Sequence, residues 1–95
     1  MSRSVYLRSW LAMDNLVITR GAAAELTPDD LIESLTRHLS GDWGDVDLQD
    51  RKRNDLACAY SGRVVSVYHG ENGARFYVIT EADRSVTTIL LPSEY

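Results

Sequence analysis

The sequence predicts an α+β domain in which two helices pack on a three- to four-stranded antiparallel meander sheet. Two observations support this class. The middle of the chain holds two helix-forming segments, each preceded by a residue suited to cap it. The C-terminal third holds three runs rich in Val, Ile, Thr and aromatic residues, separated by spacers of turn length. A chain of 95 residues is expected to form a single domain over 1–95, with 15–60 supplying a strand and the helices and 63–91 the meander.

The clearer of the two predicted helices covers residues 28–40. Thr27 is a suitable N-cap, Pro28 fits the first helical position, and two aspartates follow where the helix dipole is positive. Gly41 then permits the left-handed backbone at which helices commonly end. The apolar residues of this segment recur at helical spacing and define its predicted buried face: Leu31, Ile32, Leu35 and Leu39.

A second helix is predicted from about 47 to 60, with Asp45 or Asp47 as its cap. Its charged central run, RKRND, is expected to face solvent. The residues expected on its inner side are Leu48, Leu56, Ala59 and Tyr60.

Strands are predicted over 15–19 and over the three C-terminal runs 63–69, 74–80 and 85–91. The short spacers GENG and EADR make the last three strands an antiparallel meander. Both faces of this meander are apolar, so we expect the helices to cover one face and either the N-terminal segment or a second subunit to cover the other. Alternation groups the side chains into two sets: Phe76, Val78, Val86, Thr88 and Leu90 on one face, and Tyr77, Ile79, Thr87, Ile89 and Leu91 on the other.

The charge balance restricts the function classes. The chain carries 10 basic and 14 acidic residues, a net charge of −4, and its isoelectric point is near 5.0. Direct binding of nucleic acid is not expected, because such binding needs a basic face that releases counterions from phosphate. An acidic protein can instead dock on a basic groove of a partner that handles nucleic acid. No apolar run approaches the roughly 20 residues of a membrane helix, and the N-terminal residues make a poor signal peptide. A cytoplasmic location without membrane association is therefore predicted.

Neither a metal nor a cofactor is predicted. Cys58 is the only cysteine, which excludes an internal disulfide and argues against a cysteine-based metal site. The two histidines lack the spacing of zinc ligands. A hard cation is conceivable at the acidic stretch between the helices, but its spacing does not fit a calcium-binding loop. We interpret those aspartates mainly as capping and turn residues: Asp42, Asp45, Asp47 and Asp50.

Two charged segments form the candidate contact surface for a protein partner. The loop GDWGDVD would contribute Asp42, Trp43, Asp45 and Asp47, and the hairpin tip EADR would contribute Glu81, Asp83 and Arg84. A tryptophan between two glycines predicts an indole that packs on the domain and anchors its loop. An exposed indole would instead be a contact hot spot. The tip residues equally suit a local salt bridge or a solvated turn.

An alternative hypothesis assigns catalysis to His38, Asp42, Asp83 and Arg84. A histidine or carboxylate can act as general base and an arginine can stabilise developing charge, which are the requirements of a small toxin-like nuclease. The hypothesis needs these four side chains to converge. The competing interpretation makes His38 a hydrogen-bonded histidine at the edge of the core, in the last turn of its helix.

The chain resembles a family of short bacterial proteins described as plasmid-related, some of which carry a restriction-modification label. The similarity rests on GDWG at 41–44, ITEADRS at 79–85 and LLPSEY at 90–95, and it extends over roughly 16–95. Two departures are an apparent N-terminal extension at 1–14 and Arg20, where a proline is expected. The resemblance implies residence on or near a mobile element and transfers no catalytic residues.

The favoured hypothesis is a small acidic protein of a mobile element that binds a protein partner. Its partner would be a host defence complex that handles nucleic acid, such as a CRISPR or restriction assembly, which the protein inhibits. The alternatives are the toxin-like nuclease and a regulator, and a homodimer is compatible with each of them.

Overall fold

The computed structural model describes residues 15–95 and confirms the α+β class. The predicted extension at 1–14 lies outside the described residues. Within the described residues, three helices and four strands follow one another, and a short 3-10 turn comes last. In order they are β1 (Leu16–Ile18), α1 (Arg20–Glu25), α2 (Pro28–Leu39), α3 (Leu48–Ala59), β2 (Val64–His69), β3 (Arg75–Thr80), β4 (Thr87–Leu90) and the turn Pro92–Glu94.

The sheet is mixed, which corrects the prediction of a purely antiparallel meander. Its strand order is β1-β4-β3-β2, and the predicted meander accounts for the antiparallel pairs β2–β3 and β3–β4. The first strand, however, lies parallel to β4, with Val17 opposite Thr88. No short turn joins these two strands, because three helices and two strands intervene. Their relative direction is therefore not set by local sequence.

Helix α2 forms where predicted, and a capping box holds its start. The Thr27 side chain accepts from Asp30 N, and the Asp30 side chain accepts from Thr27 N. The predicted buried face is only partly right, because Ile32 is exposed while Leu31 and Leu35 pack against the core. The centre of the buried face holds two polar residues, Ser34 and His38. His38 was expected at the edge of the core, whereas Ser34 was not predicted to be buried.

Helix α3 also forms where predicted, with Asp47 as its N-cap, but its predicted inner side is wrong. The residues that pack inward are Asn54 and Ala57. Asn54 uses its side-chain amide to bind the edge of β2, and Ala57 packs in a small apolar cluster with Trp43 and Val64. The residues predicted to face inward all lie in solvent: Leu48, Leu56, Ala59 and Tyr60.

The register between β3 and β4 corrects the predicted faces. Val78 lies opposite Ile89 and Thr80 lies opposite Thr87, and residues opposite each other share a face. The alternation within each strand was right, but β4 had been assigned to the wrong side of β3. A one-residue slip reverses a whole strand, and the six-residue connection between these strands does not fix the register as a two-residue hairpin would.

Both faces of the sheet carry buried side chains. The N-terminal segment predicted to cover the second face lies outside residues 15–95, and its cover by that segment or by a second subunit stays a prediction. On the face toward α1 and α2, a core cluster contains Ala22, Leu26, Tyr68, Phe76, Val78 and Ile89. On the opposite face Val67, Ile79 and Leu90 are buried, and Tyr95 packs edge-on against Tyr77. None of the helices formed by residues 15–95 has both the length and the apolar character that a membrane span requires.

Candidate functional site

The loop between α2 and α3 is anchored by Trp43, as the sequence predicted. This side chain is only 4% exposed and packs in a second, smaller cluster with Ala57 and Val64. Its indole N–H donates to Asp55 Oδ1 at 2.9 Å, and its ring meets His38 edge-on at 5.8 Å between centroids. The loop is therefore fixed to the body of the domain at its middle.

The backbone of the same loop pairs with the outer edge of β2. Val67 N donates to Trp43 O at 2.9 Å, and Asp45 N donates to Val67 O at 2.8 Å. Gly44 stands between them at φ +77°, and a Cβ there would overlap Val67 O and the Tyr68 ring. Glycine is thus required both by the backbone conformation and by the close approach.

Asp42 is a surface brace that pairs with Arg37. It accepts two hydrogen bonds from the guanidinium, at 2.7 and 3.1 Å, and a third from Gly44 N at 3.2 Å. The Arg37 hydrogen bonds hold the pKa of the Asp42 carboxyl below its usual range. Tyr68 completes the arrangement, since its hydroxyl donates to Asp42 O at 2.6 Å and its ring lies under Arg37. No sequence pattern singles out Arg37, because its partner Asp42 lies beyond the end of the helix.

The next two acids of the loop point into solvent. The Asp45 side chain is 71% exposed and lies 4.0 Å from His69 Nε2. Asp47 is exposed and accepts from Asp50 N at 2.8 Å as the cap of α3. The loop therefore presents carboxylates on a backbone whose position is set by Trp43, Gly44 and the edge of β2.

At the hairpin tip 81–84, the side chain of Arg84 points inward, whereas those of Glu81 and Asp83 lie at the surface. Arg84, at φ +63°, turns its guanidinium toward backbone carbonyls and donates to Ala57 O at 2.7 Å and Gly62 O at 2.6 Å. Glu81 forms an ion pair with Arg63 at 3.5 Å. Asp83 is exposed, and hydrogen bonds from Ser85 lower the pKa of its carboxyl.

His38 lies inside the domain in a network of hydroxyl groups. Its Nδ1 is 2.6 Å from Ser66 Oγ, its Nε2 is 2.9 Å from Thr80 Oγ1, and Thr80 Oγ1 is 2.8 Å from Thr87 Oγ1. The side chain has no exposed surface, and burial lowers the pKa of His38 to about 3. The imidazole is therefore neutral at ordinary pH, with one ring nitrogen donating and the other accepting.

The four residues of the nuclease hypothesis lie in three separate places, since Asp83 and Arg84 share the hairpin tip. His38 is buried among hydroxyls, Asp42 pairs with Arg37 at the surface, and Arg84 binds carbonyls at the C-terminal end of α3. Asp42 precedes α3, a 12-residue helix that spans about 18 Å. The loop and the hairpin tip are thus at opposite ends of this helix. Within residues 15–95, no group of three or more His, Cys, Asp or Glu side chains is placed to hold a metal ion.

In comparisons with known proteins, no family model, curated protein or solved structure matches this chain.

Proposed function

We propose that the protein acts by binding a basic surface of a protein partner through the loop at 41–47. The observation that carries this proposal is the contrast within the loop: Trp43 is buried and fixed, while Asp45 and Asp47 are exposed on the same short segment. A loop held in one conformation loses little entropy when it is bound, which favours affinity. Exposed carboxylates on such a loop suit a partner with complementary charge.

The resemblance to plasmid-related bacterial proteins supports a narrower version of the proposal. On a mobile element, the partner would be a host defence complex whose nucleic-acid groove is basic, of the CRISPR or restriction type. The protein would occupy that groove in place of nucleic acid. The net charge of −4 suits this role, because acidic residues are attracted to the surface that phosphate would otherwise contact.

A charge-neutralising double variant tests the proposal without unfolding the loop. Asp45→Asn removes an exposed charge, and Asp47→Ser removes a second while keeping an oxygen that can cap α3. In cells that carry a defined defence system and express the protein, we expect the wild type to raise phage plating efficiency. The double variant should raise the plating efficiency at least about tenfold less than the wild type does, because two charges near the contact are removed.

A matched control removes the same charge from another surface. Asp29→Asn with Glu33→Gln neutralises two exposed acids of α2 and should retain the wild-type effect. The proposal would be wrong if the wild type left plating unchanged against every defence system of its host. It would also be wrong if the loop variant protected as well as the control.

A further inference from the structure

A cleft lies between α3 and β2, on the side of the sheet away from α1 and α2. Its volume is about 230 Å³. Val65 and Val67 line it from β2, where alternation turns them away from the larger core, and Val46 lines it from the segment that leads into α3. Asn54, whose amide binds the backbone of Val65, also lies along it. The cleft is therefore part of the junction that holds α3 to the sheet, and its apolar lining consists of branched side chains.

The charged lining of the cleft is basic overall, although the chain is acidic. Among the described residues around it, Arg53 and Arg63 are basic and Asp50 is acidic. The whole chain carries a net charge of −4. A locally positive cleft attracts anions and disfavours cations.

Both guanidinium groups retain donors for a ligand. Arg53 Nη1 lies 3.4 Å from Asp50 Oδ1, but both side chains are at least half exposed, so this ion pair contributes little. Arg63 uses Nε for Glu81, at 3.5 Å, and Nη1 for the Tyr95 hydroxyl, at 2.6 Å. Because a guanidinium carries five N–H groups, each arginine can donate further hydrogen bonds. Those donated to a carboxylate are charge-assisted and therefore among the stronger ones in proteins.

We propose that this cleft binds a small carboxylic acid with a branched or ring-shaped apolar tail. The carboxylate accepts from Arg53 and Arg63, and the tail lies against the valines. The space is sufficient, because an engineered apolar cavity of roughly 150 Å³ holds benzene. Apolar lining with a few placed polar groups is the usual composition of a small-molecule site.

A ligand in this cleft would contact α3 and β2 at once. Opening of α3 destroys the cleft, so a ligand that binds only the closed form slows opening by the factor 1 + [L]/Kd. A ligand of fewer than about ten non-hydrogen atoms is expected to bind with a Kd on the order of 1 mM. At about 20 mM ligand, the amides of α3 should then exchange about twentyfold more slowly. This inference does not depend on the proposed function, since binding is measured on the purified protein alone.

A nuclear magnetic resonance titration with isovalerate, at constant pH and ionic strength, tests the proposal. We expect saturable shifts of the backbone amides of Val46, Val65 and Val67. Two matched probes separate the contributions of charge and tail. Isovaleramide lacks the charge and acetate lacks the tail, so each should bind at least about tenfold more weakly than isovalerate.

Arginine variants test the position of the carboxylate. Arg53→Gln and Arg63→Gln should each raise the Kd for isovalerate at least about fivefold, and Arg53 is exposed, so its variant is expected to fold. Arg75→Gln removes the same charge from an exposed residue of β3 and should bind as the wild type does. The proposal would be overturned if isovalerate caused no saturable shifts up to about 20 mM, far above the expected Kd. Equal binding of either matched probe, or equal Kd values for Arg53→Gln and Arg75→Gln, would also overturn it.

Discussion

His38 shows how a single polar side chain can tie a helix to three strands. Its two ring nitrogens meet Ser66 of β2 and Thr80 of β3, and Thr80 in turn meets Thr87 of β4. A buried polar group without partners would be costly, so the hydroxyls account for its presence in the interior. The interpretation of His38 as a hydrogen-bonded histidine is confirmed, although it lies within the core and not at its edge. Its partners come from distant strands, so the sequence offered no way to identify them.

The buried imidazole predicts that stability falls as the pH is lowered from 6.5. The pKa of His38 is about 3 in the folded protein and about 6.5 in the unfolded chain, so between these values only the unfolded chain binds the proton. The contribution of His38 to the free energy of unfolding is fully present above pH 6.5 and is lost as the pH falls toward 3. We expect a loss of about 2.5 kcal/mol between pH 7 and pH 4.5, measured by urea unfolding.

The control for this prediction is a pair of histidine variants. His38→Gln cannot titrate, so it should abolish most of the pH slope between 6.5 and 4.5, whatever its effect on stability at pH 7. His69→Gln removes an exposed histidine and should keep the slope. A slope that persists in His38→Gln would show that another group is responsible.

Arg84 is predicted to be a structural residue. Its guanidinium donates to Ala57 O, a carbonyl in the last turn of α3, and to Gly62 O in the connection to β2. Arg84→Ala should lower the free energy of unfolding by roughly 1.5–3 kcal/mol, the range for hydrogen bonds that involve a charged group. Arg84→Lys should recover only part of this, because an ammonium lacks the planar fork. Asp83→Asn, one position away, should have no comparable effect on urea unfolding, and equal effects would contradict this role.

At the scale of elements, the outer edge of β2 is protected by α3 and its preceding loop. Asn54 donates to Val65 O at 2.9 Å and accepts from Val65 N at 3.2 Å. Two residues along, the backbone of Trp43 and Asp45 pairs with Val67. The outward backbone groups of Val65 and Val67 are thus satisfied, which removes a site where another strand could pair.

Asn54→Ala should therefore both destabilise the protein and expose this edge. The variant removes two hydrogen bonds to a partly buried backbone, for which we expect a loss of about 2–3 kcal/mol in urea unfolding. Light scattering on warming should show earlier aggregation, because the freed edge can pair between molecules. Gln49→Ala, on the exposed side of the same helix, should change stability by less than about 0.5 kcal/mol. Equal stability losses in the two variants would refute the role of Asn54.

The elements that sequence analysis predicted are those with local signals. Thr27, Pro28 and Asp30 specify the start of α2 within four residues, and runs of β-branched residues mark each strand of the meander. The prediction of which side of α3 is buried was wrong because the helix buries Asn54 and Ala57 and leaves its leucines exposed. The parallel entry of β1 and the register of β4 depend on contacts distant in sequence, which no local pattern encodes.

The burial of Trp43 could be predicted from the sequence, whereas the partners of the charged residues at the candidate site could not. Trp43 between two glycines indicated a packed indole, and the structure places it in the core. That Arg37 would pair with Asp42, or that Arg84 would turn inward, depends on where the ends of two helices meet. The sequence alone therefore does not show which charged residues bind other groups of the domain and which are exposed.

At the scale of the whole molecule, two cores of unequal size hold the domain. The larger joins α1 and α2 to the sheet, whereas the smaller joins α3 to the rest mainly through Trp43, Ala57 and Val64. With its leucines in solvent, α3 contributes little apolar burial to the larger core. The region from the loop to the end of α3 is then the part of the domain expected to open first.

Native-state hydrogen exchange can measure this difference in stability. We expect amides in the last two turns of α3 to exchange at free energies about 2–4 kcal/mol below those of Phe76 and Val78 in β3, because segments with few apolar contacts open locally while core strands open only globally. Arg84→Ala should lower the values in α3 further, since it removes the hydrogen bonds at the end of that helix. Cys58 offers a second readout: burial raises the pKa of its thiol to about 11, so rapid labelling requires α3 to open. Equal exchange free energies in α3 and β3 would mean that the two cores unfold together, and the acidic loop would then be as rigid as the sheet on which it is fixed.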